Sequence, residues 1–290
     1  MRYLVAIGGN ALAGKAYILD RLARELWRLH SRGNGIVVTH GNGPQVGELA
    51  LHENLSLAEL TAQTEAEIGI ALEDAMQRRL GGENYRIATV FTRVLVDTKD
   101  PSFKRPSKPI GPFYTKAQAQ RAARNGFTIR KLIGGYRRVV ASPKPRKVLD
   151  AKLVTDLLAK GYIVIAGGGG GIAMIRRRGR LRYADAVIDK DYTSSLLARQ
   201  LKADALLFFM KLDGVYLNLG RKDKRRIGRI SVADMEAYLQ EELFEEGSIS
   251  PKIRACIDFV KSTGKSAVIG SLSRPVDVFA KRNVTVITPE

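Results

Sequence analysis

The 290-residue sequence holds a single cysteine, Cys256. One thiol excludes an intrachain disulfide framework and fits a reducing compartment. Histidine is nearly as scarce. His30, His40 and His52 are scattered, and with one cysteine they offer no zinc-type spacing, so no protein-held metal is expected. No apolar run approaches the ~20 residues that cross a bilayer, so no membrane partner is expected. The apolar opening, residues 1–7, is short and meets Gly8-Gly9 at once. That is no signal peptide, and the expected location is the cytoplasm. Familiar nucleotide and hydrolase signatures are missing too. Thr263-Gly264-Lys265-Ser266 ends like a P-loop, but Phe259 stands where that motif needs glycine. Gly41-Asn42-Gly43 is followed by Val46 where a dinucleotide fingerprint needs glycine, and there is no G-x-S-x-G elbow.

Acidic residues are also in deficit. The chain carries 48 Lys and Arg against 29 Asp and Glu, a formal net charge of +19. Such a field attracts phosphates and polyanions. The basic residues cluster at 121–138, 176–182 and 221–229. None of these stretches interleaves aromatics into a stacking platform, so a solvated surface is the plain reading and nucleic acid an alternative one.

What is present is an alternation. Short apolar runs at 3–7, 36–38, 86–91, 162–166, 205–210 and 266–269 read as buried strands. Amphipathic stretches at 18–29, 57–80, 150–160, 191–201 and 251–262 read as helices, several closed by glycine. Continuous apolar strands between such helices imply a mainly parallel sheet covered on both faces, a three-layer α/β/α sandwich. Residues 100–146 break the rhythm with six of the chain's ten prolines. That density argues against regular helix or central strand over much of the segment, and a protruding subdomain or lid is expected there.

Three glycine-rich loops each follow a buried strand: Gly8-Gly9-Asn10, Gly41-Asn42-Gly43, and 167–171, which includes Gly168 and Gly169. Glycine lets the backbone approach a ligand closely, and successive amides can then face an anion. One such loop means little, but three at the ends of parallel strands mark the usual ligand edge of an open α/β sheet. Three lysines stand in constrained settings: Lys108 between prolines, Lys190 in Asp189-Lys190-Asp191 at a helix start, and Lys252 after Pro251 at another. A cation at a helix N-terminus opposes the macrodipole, and an anion bound there would explain it. Taken singly, each could equally be a surface lysine, and Asp189-Lys190-Asp191 a helix cap with local charge pairing.

These segments together resemble the carbamate kinases of the amino-acid-kinase superfamily. The likeness runs through Gly8-Gly9-Asn10-Ala11-Leu12, the stretch 39–47, the stretch 108–114, the stretch 137–145, the glycine run, 186–191, 213–218, 247–252 and 267–272. The resemblance implies a fold and an activity: a single kinase domain over 1–290 that exchanges a phosphoryl group between ATP and carbamate. It implies an inserted subdomain at 100–146, an N-terminal carbamate side and a nucleotide side at 185–290. Gly8, Gly9 and Asn10 would cradle the transferring group, and Gly41, Asn42, Gly43, Gly168 and Gly169 would face it. Lys108, Lys190 and Lys252 would neutralise its oxygens, with Asp191 holding the lysines. Asp213, Val215, Tyr216 and Asn218 would line the nucleotide pocket, with Lys211 beside its phosphates. ATP or ADP would bring magnesium on its own phosphates, and relatives imply a homodimer. Three stretches depart from the family pattern, the first being the segment between Leu12 and the helix at Ile18, which is shorter than in typical members. Thr64-Glu65-Ala66-Glu67 carries extra acid before Ile68-Gly69, and Met210-Lys211 precedes Leu212-Asp213 where Leu-Thr is usual. A kinase for another small acid, or an inactive basic sensor or nucleic-acid binder, are the competing readings.

Overall fold

The computed structural model describes residues 1–9, 16–53, 55–80, 86–241, 243–244 and 249–290. Asn10, Ala11 and Leu12 lie outside the described residues, as do Gly247 and Ser248.

Among the described residues the central sheet has eight strands. In chain order these are β1 (Arg2–Ile7), β2 (Gly35–His40), β3 (Ile87–Val90), β4 (Ile163–Ala166), β5 (Ala205–Met210), β6 (Arg229–Ser231), β7 (Ala267–Ser271) and β8 (Thr285–Thr288). Their spatial order is β6-β8-β7-β5-β1-β2-β4-β3. Every neighbouring pair is parallel except β7 with β8. The helices are α1 (Ala16–His30), α2 (Gly43–His52), α3 (Leu57–Leu80), α4 (Lys116–Arg124), α5 (Ala151–Ala159), α6 (Lys190–Gln200), α7 (Val232–Gln240), α8 (Ile249–Thr263) and α9 (Pro275–Phe279).

Alternation along the strands builds two cores. Leu4 and Ala6 of β1, with Phe208 of β5, point to one face, where Leu197 of α6 and Ile253 and Phe259 of α8 cover them. Val5, Ile7 and Phe209 point to the other, under Leu22 and Leu26 of α1 and Leu72 of α3. Both faces are dry, which is why the strands read as unbroken apolar runs rather than alternating ones. The expected three-layer sandwich is the observed one.

The proline-rich segment is more regular than its composition suggests. It contains α4 and a separate three-stranded antiparallel sheet of Lys108–Tyr114, Gly135–Val140 and Ile129–Leu132. Pro109 and Pro112 are tolerated because Lys108–Tyr114 is an edge strand, and its pairing register shifts between Ile110 and Tyr114. The base of the segment is tied by Asp100, whose carboxylate accepts from the Ser102 and Lys144 amides at 2.9 and 3.0 Å. A further four-stranded sheet joins Arg93–Val96, Pro145–Val148, Ile172–Arg177 and Arg180–Tyr183. Sequence periodicity did not reveal these strands, because each is short and half of their residues are charged or exposed.

The small sheet meets the main body where Gly111 lies against Gly47 of α2. A side-chain carbon on Gly47 would overlap the Gly111 backbone, and Gly111 itself has φ of +70°. Arg137 donates to the Gly111 carbonyl at 2.5 Å and locks this approach. Backbone on backbone cannot yield as a side-chain tip can, so overpacking here should cost about 1–3 kcal/mol. Gly47→Ala is therefore expected to lower the urea midpoint of unfolding at unchanged m-value. An unchanged midpoint would show that this seam is looser than the structure has it.

Candidate active site

The order of the strands sets the place of the site. The chain leaves β1 toward β2 on one side and returns to β5 on the other. The crevice at the carboxyl ends of β1 and β5 is thus the switch point where open α/β sheets bind ligands. The loops after β1, β2 and β4 all open at this edge, since the three strands are adjacent and parallel. The helices α6 and α8 each lead into a strand, β5 and β7, and run against the strand direction. Their N-termini therefore meet the same edge.

Two of the glycine loops touch. A side-chain carbon on Gly41 would come 2.6 Å from the Gly9 nitrogen and 3.4 Å from the Lys190 side chain. Only a hydrogen at that position lets the first loop, the second loop and the lysine converge. The third loop closes in through Gly169, which abuts the Asn42 amide, and through Gly170, whose carbonyl accepts from Thr193 Oγ1 of α6 at 2.8 Å. Asn42 is the N-cap of α2 but makes no side-chain cap bond; its amide donates instead to Thr64 Oγ1 at 2.8 Å. The first-turn amides of α2, from Gly43 on, are left without a side-chain acceptor, which suits an anion.

At the head of α6 the charges are ordered. Asp189 caps the helix by accepting from the Asp191 amide at 2.9 Å, and its other oxygen holds Lys108 at 2.6 Å. Lys108 reaches it from the small sheet and is 40% exposed. Asp191 accepts Lys190 Nζ at 2.5 Å on one oxygen and Lys252 Nζ at 2.8 Å on the other. Their side chains are only 12%, 7% and 7% exposed for Lys190, Asp191 and Lys252, so the triad is shielded from water. Both ammonium groups lie over the ring of Phe208, at 5.4 and 4.8 Å from its centroid. Burial alone would raise the Asp191 carboxyl, but the two lysines outweigh it and hold it well below the usual carboxylate range. Burial lowers the Lys190 ammonium, Asp191 opposes that, and Lys252 adds to it. One carboxylate between two ammonium groups leaves the triad with one uncompensated positive charge.

Lys108, Lys190, Asp191 and Lys252 are therefore linked through adjacent residues of one helix start. Lys252 sits in the first turn of a helix that begins two residues before Pro251, slightly earlier than the sequence suggests. Proline fits anywhere in that turn because its missing N–H has no intrahelical acceptor.

The second group of expected residues lies along the same edge, past β5. Lys211 follows that strand directly and is exposed, and its carbonyl accepts from Ser271 Oγ at 3.3 Å. Asp213 is held by Tyr216 Oη at 2.7 Å and Arg226 at 2.9 Å, which keep its carboxyl below the ordinary range despite some burial. Asn218, at φ of +52°, donates to Asp223 at 2.6 Å. Val215 differs from the others. Its side chain is in the core, its N–H donates to Thr285 Oγ1 at 2.8 Å, and its carbonyl accepts from the Ile227 amide at 2.8 Å. It anchors the loop and has no polar atom to offer a ligand.

Several participants escaped sequence reading. Phe208 lies inside a continuous apolar run and carries no local signal. Thr39 and Ser194 share a hydrogen bond of 2.7 Å that ties β2 to α6, and Ser194 also bonds the Lys190 carbonyl at 2.7 Å. His40 is buried, and burial pushes its imidazole down to about 4, with Lys190 adding to the shift and the Gly41 backbone opposing it. The three histidines could be counted in the sequence, but only the fold shows which one lies under the site.

Comparison with known proteins agrees with this geometry. The amino acid kinase family profile matches residues 1–271. A carbamate kinase of Thermoplasma acidophilum is 38% identical, over 99% of this chain and 99% of its own length. One from Thermococcus kodakarensis is 36% identical, over 100% and 99%. The solved structure of carbamate kinase from Giardia lamblia bound to AMP-PNP superposes with a TM-score of 0.86 at 33% identity, covering 99% of this chain and 98% of that one. The chain belongs to the amino acid kinase family, and within it to the carbamate kinases.

Proposed function

We propose that the protein transfers a phosphoryl group reversibly between ATP and carbamate. The observation that carries this reading is the buried Lys190–Asp191–Lys252 triad, facing the convergence of the glycine loops. Carbamate is already an anion, so its attacking oxygen needs no general base. The chemistry reduces to alignment and to holding charge on the phosphoryl group in flight. The loop amides of Gly9, Gly43 and Gly169, with the Asn42 side chain, would seat that group and the carbamate, while Gly8, Gly41 and Gly168, whose amides are taken by Phe209, Ile7 and Glu65, would set the course of the loops. Lys190 and Lys252 would meet its oxygens, and Lys108 would close from the small sheet. Asp191 aims both lysine side chains and supplies their counter-charge in a site shielded from water. On the other side, Lys211, Asp213, Tyr216 and Asn218 would hold the magnesium nucleotide, the substrate form of ATP or ADP. Residues 100–146 would cover the carbamate side and residues 185–290 the nucleotide side.

Among the described residues no helix is long and apolar enough to cross a membrane, in keeping with a cytoplasmic enzyme. We also read it as a homodimer, since Ile70 of α3 and Phe91 after the edge strand β3 are 69% and 56% exposed at the open side of the sheet. Light scattering should return twice the chain mass; a monomer would leave that face unexplained.

Purified protein should form ATP from ADP and carbamoyl phosphate. Absence of that activity, together with activity on a different acyl phosphate, would reassign the acceptor. Lys190→Ala should lower kcat by ~10²–10³ with cooperative unfolding retained, because Asp191 still has Lys252. Near-wild-type turnover would remove Lys190 from the mechanism. Asp191→Asn should behave otherwise. It leaves two buried ammonium groups without a counter-ion and should lose about 3–5 kcal/mol of stability in denaturant titration. A variant as stable as the parent would mean the triad is hydrated.

A further inference from the structure

Glu65 lies on α3, off the line of phosphoryl transfer, yet it is only 1% exposed. Its Oε2 accepts from the Thr92 amide at 3.2 Å, and the Gly168 amide also bonds the carboxyl. Its Oε1 has no hydrogen-bond partner. Thr92, itself fully buried, in turn holds the glycine run at both ends. Thr92 Oγ1 accepts from the Gly167 amide at 2.7 Å, and its carbonyl accepts from the Ile172 amide at 2.7 Å. Thr92 Oγ1 donates to the Val90 carbonyl at 2.9 Å, which fixes its rotamer and so the direction of the acceptor. The loop packs directly on the Glu65 stem. A side-chain carbon on Gly168 would clash with Glu65 Cγ and with the His40 ring. Thr64, one residue before Glu65, holds Asn42 of the second loop. One turn of α3 therefore grips two of the three glycine loops, and neither residue touches the triad.

Resting on the phosphoryl-transfer reading above, we propose that Glu65 is a positioning residue, which acts directly on Gly168 and through Thr92 to hold the 167–172 loop in the course that presents the Gly169 amide to the site. Burial, with Asp150 adding, pushes its carboxyl well above the usual range, against the two amide bonds. What the Thr92 amide requires at that point is an acceptor oxygen, which a glutamine side chain also supplies. A neutral isostere should substitute for it, and an apolar one should not.

The test compares Glu65→Leu, Glu65→Gln and wild type, by steady-state kinetics and by amide hydrogen exchange over 167–172. Glu65→Leu should lower kcat by about 10–100-fold with little change in KM for ADP, since a misdirected loop weakens the transition state and not nucleotide binding. Exchange at Gly167 and Gly168 should speed up in the same variant. Glu65→Gln should restore kcat to within about threefold of wild type. Thr92→Val, isosteric and without the acceptor Oγ1, gives the same reading at Gly167 should Glu65→Leu not fold. Unchanged exchange in both Glu65→Leu and Thr92→Val overturns the proposal, as does a Gln variant as slow as the Leu variant. Inactivity of the wild type toward carbamoyl phosphate would instead remove the reaction, while the exchange data still decide the loop contact.

Discussion

Two ammonium groups share one carboxylate in a pocket that excludes water, and the rest of the site is arranged around that economy of charge. Either lysine buried alone would be driven toward its neutral form, and the carboxylate alone toward its acid. Held together they offset one another's burial, and two cationic side chains against one carboxylate leave a formal positive charge at the crevice. The aromatic face of Phe208 beneath them adds attraction without adding a competing acceptor. A triad so placed favours an anion in front of it, and most of all an anion whose charge grows during reaction.

Sheet topology brings these groups together from distant parts of the chain. β1, β2 and β4 end side by side, so three glycine loops share one edge. The helices α6 and α8 pack on one face and start at that edge, so Lys252 reaches from 61 positions away the same carboxylate that Lys190 pairs with. Asp191 and Asp189 offset the unfavourable macrodipole that a lysine at a helix start would meet. The small sheet adds Lys108 through a more exposed contact with Asp189, so its link to the main body is the most hydrated part of the assembly.

Much of this was legible in the sequence because the governing rules are local. Buried parallel strands must be apolar on both sides, so β1, β4 and β5 stand out as continuous runs. The helix at 57–80 was found with its observed limits, since glycine bounds it and its apolar spacing is sustained. Asp189-Lys190-Asp191 invited attention because a cation at a helix start needs a reason. What could not be read was long-range. No pattern joins Lys252 to Asp191 or Lys108 to Asp189. The strands at 93–96, 172–177 and 180–183 are too short and too charged for periodicity to expose them. Glu65 looked like a surplus acid on a helix, because its burial depends on a loop a hundred residues later folding over it. Proline content misled in the 100–146 segment, because its cost depends on whether a strand lies at an edge.

The most direct test of the central claim is a crystal structure with a non-hydrolysable ATP analogue and magnesium. The lysine ammonium groups at 190 and 252 should both lie about 2.7–2.9 Å from terminal-phosphate oxygens while remaining joined to Asp191. A terminal phosphate bound elsewhere, with the two lysines still paired to Asp191 alone, would contradict it.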